Sequence, residues 1–517
     1  MNATQEKPKS KKWIWIVVIL AALLVCCGIA AVAGGYFYLQ SAGKTIDDAL
    51  SGELLEPQVD VPLPQTQEPP PGVAPDRPST ATPMDEPAPV PLTEGQMVVV
   101  ATSGVWAVNE NTGEAVELIS APLDAPWHPE DGMSPDGKAF AFLTGYGGAS
   151  LSPYLIVLDL AQQSQELELS LTGPLSTPDM EMMPGDLAFE ATRAMEFTGG
   201  FAWSPDGRML AFAGAMDGAT ADVYLYDRKD GSLTRLSDEI GHAAQLHWSP
   251  DGRYLEYVSV DSFGTGAGMG MAGLWTIDMQ TREPMLLERL ESGGESFLGW
   301  VDDSHFLMHS WGPACSGYNM RVVDAADGAQ EAVVGGCFSA AAFNPGERAG
   351  LLALEDYNVE YCMCGQSLEE AGLYAFYLDQ EPIPMSKVEA YAIDFLPEGD
   401  VFAFQPVGEE YKVYNSVDSS ITILPEVIAL KPFPASPDGY WAWYSEVFSA
   451  ISNSLWVTLN NENPVLVSSS CSSEPAWSDD GQTLYFIENN SLYKASAPDF
   501  TPQAVPGVTG ELLNVVN

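Results

Sequence analysis

The chain has 517 residues, 71 of them Asp or Glu and 21 Lys or Arg, with 46% apolar residues, 47 glycines and 39 prolines. From residue 41 onward 70 acidic residues face 17 basic ones, a net charge of −53. That charge repels phosphate backbones and excludes nucleic acid as a partner. It fits a soluble, self-repelling, exported surface.

The first 12 residues carry Lys7, Lys9, Lys11 and Lys12 and read as a basic cytoplasmic tail. Residues 13–39 are nearly continuous apolar sequence without a charge, long enough for a transmembrane helix. The basic cluster before it predicts a single-pass signal anchor with the N-terminus in the cytoplasm and everything after about residue 40 outside. A cleaved signal peptide is the rival reading, because Ala31-Val32-Ala33 fits a small-x-small cleavage site.

Residues 40–95 change character. Prolines such as Pro57, Pro64, Pro69, Pro70, Pro71 and Pro89 alternate with acids, Thr and Ser. Such a segment buries too little apolar surface to fold and stays extended. It reads as a disordered stalk that lifts residues 96–517 off a membrane.

From residue 96 one unit recurs. Its clearest copies are Phe201-Ala-Trp-Ser-Pro-Asp-Gly-Arg-Met-Leu-Ala-Phe212 and Leu246-His-Trp-Ser-Pro-Asp-Gly-Arg-Tyr-Leu-Glu-Tyr257. Partial copies surround Asp136, Asp438 and Gly481, and degenerate ones run over 300–304, 343–347 and 395–399. Pro presets φ, Asp tolerates the next turn position and Gly supplies positive φ, so each copy predicts a tight hairpin. A third strand such as Val223–Asp227 and a fourth such as Leu233–Leu236 follow. Four short antiparallel strands per roughly 40–50 residues make a propeller blade.

The unit Trp-Ser-Pro-Asp-Gly, then a Leu-Ala-Phe strand, then a Leu-Tyr-x-x-Asp strand, resembles the repeats of TolB-like (WD40-like) β-propellers. The resemblance implies an all-β fold, a single large propeller over 96–517. Turn motifs near 136, 206, 251, 303, 346, 398, 438 and 480 and a first unit at 97–108 allow up to nine blades. Eight are expected, within a range of seven to nine. The first unit lacks one strand, which Glu511–Val516 can supply to close the ring.

The fold says little about activity. Asp206 and Asp251 read as turn residues rather than calcium ligands or catalysts. Gly207, Gly252 and Gly481 supply positive φ, and Trp203, Trp248 and Trp477 pack between blades. Gly268-Met-Gly-Met-Ala-Gly273 matches a dinucleotide fingerprint but precedes a strand, so it reads as a flexible loop. Residues 172–198 and 260–273 read as long Met-bearing loops, a composition suited to adaptable binding. His242, just before a first strand, reads as a blade-to-blade hydrogen bond. Neither H-E-x-x-H nor G-x-S-x-G occurs.

Five cysteines lie beyond the anchor. Outside the cytoplasm disulfides are expected. Cys315 pairs most simply with Cys337, Cys362 or Cys364 can pair with either, and Cys471 is left as the free thiol. No cofactor, metal or catalytic residue is expected. The leading reading is a non-enzymatic, monomeric scaffold at the cell envelope that holds a protein or glycan partner. The alternatives are a carbohydrate-active lyase or hydrolase on a propeller scaffold and a purely structural envelope component.

Overall fold

The computed structural model describes residues 96–517 except for short internal stretches, the longest being 121–131, 174–186, 356–367 and 445–453. The anchor and stalk expectations, 1–12, 13–39 and 40–95, lie outside the described residues. Among the described residues no helix is long and apolar enough to cross a membrane.

Nine antiparallel sheets follow one another along the described chain, eight of four strands and one of three. Each is a meander in which sequence neighbours pair, apart from the first. There Gln96–Ala101, Gly104–Asn109 and Ala115–Ile119 are completed by the C-terminal strand Leu512–Val516. Val98 lies opposite Val516 and Val100 opposite Asn514. The tail therefore closes the ring, and the architecture is a β-propeller.

The count is one more than the eight expected. The degenerate copies still fold as hairpins: Trp300 pairs with Phe306, Phe343 with Gly350 and Phe395 with Phe402. The blade that contains the Asp136 turn keeps only a single bridge, Met133 to Phe140, in place of its first strand.

The repeated turn is built the same way each time. In the third blade Ser204 Oγ donates to Asp206 Oδ1 at 2.6 Å and accepts from Met209 N at 2.8 Å, while Gly207 N donates to Ser204 O at 2.8 Å. Ser249, Asp251, Gly252 and Tyr254 repeat these bonds in the fourth blade. In the ninth, Gly481 N and Thr483 N bond the Ser478 carbonyl and hydroxyl. Gly207, Gly252 and Gly481 hold φ of 68°, 71° and 65°, where a side chain is strained. A Cβ on Gly207 would also stand 2.7 Å from Asp136 Oδ1, in the turn of the preceding blade.

Trp203 Nε1 donates to Gly132 O at 2.9 Å and Trp248 Nε1 to Ala202 O at 3.0 Å, each reaching back one blade. Trp477 sits edge-on to Phe500. The core lies between sheets: Val98 and Val100 share a cluster with Phe140 and Phe142, and Val99 and Val515 one with Tyr485 and Ile487.

Two loop expectations are corrected. Within 172–198 the chain forms a helix, Leu187–Glu196, whose Ala191, Ala194 and Met195 are fully buried. It packs on strands Met209–Gly214, His242–Trp248 and Tyr254–Phe263. Spacing of i, i+3 and i+4 gives it one apolar stripe. Within 260–273 most residues are strand: Tyr254–Phe263 and Met269–Asp278 make one long hairpin. A Cβ on Gly273 would lie 2.6 Å from Trp275 Nε1, so that glycine serves close packing.

Candidate functional site

In a four-stranded meander the first-to-second and third-to-fourth turns share one face. The second-to-third loops and the blade-to-blade loops share the opposite one, here called the upper face. The helix Leu187–Glu196 and the long hairpin of the fourth blade both decorate the upper face, in adjacent blades.

The same sector holds an acid–guanidinium cluster. Asp217 comes from the second-to-third connection of the third blade, Asp222 opens its third strand, Arg235 lies on its last strand and Asp238 in the loop that leaves it. Arg235 Nη2 binds Asp222 Oδ2 at 2.8 Å and also Asp238, while Nη1 reaches Asp217 at 3.3 Å. Tyr224 donates its hydroxyl to Asp217. One cation thus serves three carboxylates. Burial pushes the Asp222 carboxyl up to about 7, against the pull of Arg235 and with help from Asp238 and Asp217. Burial, reinforced by Asp217, likewise pushes the Tyr224 phenol up. His242 Nδ1 accepts a bond from Ala221 N at 3.1 Å across the seam between the third and fourth blades, the role read from the sequence.

One seam further on, Arg321 is buried and bonds Glu288 at 2.8 Å and Glu295 at 3.0 Å. Glu288 ends the fourth blade and Glu295 begins the fifth, so the guanidinium clamps two blades. His309 is buried beside it. Burial, then the charge of Arg321, depresses its imidazole to about 4, so it is neutral.

A second constellation lies toward the lower end of the fourth and fifth blades. His247 on the first strand and Glu256 on the second stand directly opposite each other. His247 Nδ1 and Glu256 Oε2 are 2.7 Å apart. The Glu256 side chain is 1% exposed and that of His247 31%. Among the described residues Glu256 Oε1 has no hydrogen-bond partner. Burial raises the Glu256 carboxyl well above its ordinary range, against the pull of His247. The imidazole stacks on Phe297 of the next blade, ring centres 4.0 Å apart and 8° from parallel.

The residues singled out from the sequence, Trp203, Asp206, Gly207, Trp248, Asp251, Gly252, Trp477 and Gly481, sit in the lower turns and blade seams and belong to neither constellation. Cys315, Cys337, Cys362 and Cys364 lie outside the described residues, and with them the expected disulfides. Cys471 is buried, bridged to Glu488 through the backbone. Among the described residues no group of three or more His, Cys, Asp or Glu is arranged to hold a metal ion.

No family model matches the chain and no curated protein matches it in sequence. Solved structures do resemble it. A eukaryotic initiation factor shares 13% identity over 81% of this chain and 97% of its own, with a TM-score of 0.48. Dipeptidyl peptidase 4 from Porphyromonas gingivalis shares 11% identity over 72% of this chain and 58% of its own, with a TM-score of 0.46. The β-propeller domain of the Trilobed protease from Pyrococcus furiosus shares 14% identity over 64% of this chain and 93% of its own, with a TM-score of 0.35. At such identities the likeness speaks to fold alone.

The sequence-based expectation that the chain is no enzyme is corrected at this point. The proteins it resembles in structure include that peptidase, an oligogalacturonate lyase and a prolyl endopeptidase. A missing sequence motif does not argue against catalysis.

Proposed function

We propose that this chain is a TolB-like propeller, held outside a membrane by residues 13–39 and the 40–95 stalk, that binds a protein or glycan partner on its upper face across the third to fifth blades. One observation carries the reading. The two elaborations the blade plan does not need, the helix Leu187–Glu196 and the ten-residue strands of the fourth blade, occupy neighbouring positions on one face. In repeat proteins, insertions gathered on one face commonly mark the binding face. Exposed Asp217 and Asp238 beside them favour a neutral or cationic partner.

The test is photo-crosslinking on intact cells from a reactive residue placed at Asp238, compared with one at Lys229 in a lower turn. Adducts from Asp238 alone support the reading. Equal labelling from both positions, or none from either, counts against it.

A second reading, a carbohydrate-active lyase or hydrolase on a propeller scaffold, is favoured by the buried Glu256 carboxyl paired with the partly exposed imidazole of His247. A carboxyl that orients an imidazole is an arrangement suited to general acid–base chemistry.

A further inference from the structure

The two best copies of the repeat differ at two linked positions. In the third blade Ala202 stands opposite Ala211, and in the fourth His247 stands opposite Glu256 at the same register. The sixth blade puts Ala342 opposite Leu351 there, the seventh Asp394 opposite Ala403, and the ninth Ala476 opposite Tyr485. In none of these other blades are both partners polar. The hairpin is made without the pair, so neither turn nor strand requires it. Glu256 is also a costly resident: it is fully buried, and one of its oxygens has no partner among the described residues.

The backbone is bent to serve this pair. Gln245 holds φ of 56° inside the first strand, and the register shifts between Ala244 and His247. Left-handed geometry at a non-glycine strand position is strained, and bulges re-aim the side chains that follow. The first strand of the fifth blade is bulged as well, between Phe297 and Gly299. Together these place the imidazole flat on Phe297 and edge-on to Glu256. The ring is fixed on two sides and open on a third.

We propose that His247 donates a proton to the leaving oxygen of a neutral saccharide, with Glu256 as the positioning residue that resupplies it. The assignment rests on the carbohydrate-active reading. A chain this acidic repels anionic ligands, and a cation would be drawn to bare carboxylates rather than to one hidden behind an imidazole. What the site presents is an imidazole, able to donate to a glycosidic oxygen. The glycosidic C–O bond breaks with its electron pair on that oxygen, which takes the Nε2 proton. The Glu256 carboxyl proton passes to Nδ1, leaving a carboxylate and a neutral ring. Water adds hydroxide to the anomeric carbon and its remaining proton restores Nε2, while the Nδ1 proton returns to Glu256.

The experiment incubates the full chain with a panel of neutral polysaccharides and oligosaccharides and measures new reducing ends. Wild type is expected to release them from at least one member. His247→Ala should lose about a hundredfold or more, the scale of general-acid catalysis, and regain part of it with added imidazole. Glu256→Gln should lose less, because its amide can still donate to Nδ1 but cannot give up a proton, and the pH profile of the remaining activity should change shape, a readout that a packing role would not move. The double variant H247A/E256A recreates the Ala–Ala pair of the third blade. It should fold and be inactive, which separates lost chemistry from lost structure. Activity unchanged in H247A overturns the site while leaving a carbohydrate-active protein. No activity of wild type on the whole panel overturns both.

Discussion

Asp222 makes stability depend on pH in an unusual direction. Its carboxyl is raised to about 7 in the folded chain, while an unfolded Asp titrates near 3.9. Between those values the folded state holds a proton that the unfolded state has released, so stability falls as pH rises through the window and is lowest above about 7. Each pH unit inside the window costs about 1.4 kcal/mol, so the site contributes a loss of about 3 kcal/mol between pH 5 and pH 7. That is an upper figure, because the partly exposed Arg235 lets water near the pair. Asp222→Asn keeps an oxygen for Arg235 and cannot ionise. Urea unfolding of wild type and D222N at pH 5, 6, 7 and 8 isolates the effect, since repulsion among the other acids is common to both. D222N should gain on wild type from pH 5 to pH 7, and the gain should level off by pH 8. A difference that stays constant with pH, or a wild type that gains on the variant as pH rises, refutes the reasoning.

Three further outcomes follow from the packing. Gly207→Ala should cost at least about 1 kcal/mol more than Gly231→Ala in chemical unfolding: both hold φ near 70°, but only Gly207 has a neighbour within 4 Å of its Cβ position. Deleting residues 511–517 removes the strand that closes the first blade and the buried Leu512 and Val515, so the midpoint of unfolding should fall by the equivalent of about 3–6 kcal/mol. Arg321→Gln removes the buried guanidinium shared by Glu288 and Glu295 and should cost about 3–5 kcal/mol, read by the same titration.

The blades were legible because their signals are local. Ser204, Pro205, Asp206 and Gly207 make their turn within five residues, and the same four residue types make it again at 249–252. The closing role of 511–516 was legible because the first unit visibly lacked a strand. The count of nine was harder, because a hairpin such as 300–306, in the fifth blade, forms without Pro or Gly in its turn once neighbouring sheets flank it.

The helix Leu187–Glu196 escaped notice because its apolar stripe is three residues wide and gains its stability from strands of two other blades. The Arg235 cluster was hidden for a similar reason. Asp222 and Arg235 are 13 residues apart and meet only through adjacent strands. The His247–Glu256 pair was open to view all along: aligning the two clearest repeats sets His247 against Ala202 and Glu256 against Ala211, and a charged residue at a buried strand position is the signal. The cysteine pairing stays an expectation, because four of the five cysteines lie outside the described residues.

The central claim is that the upper sector of the third to fifth blades is where the partner binds. Carboxyl footprinting of the full chain tests it most directly, comparing intact cells with purified protein. Asp217 and Asp238 should become protected on cells while Asp230, in a lower turn, reacts at the same rate in both. Protection of Asp230 with unchanged reactivity at Asp217 and Asp238 would contradict it.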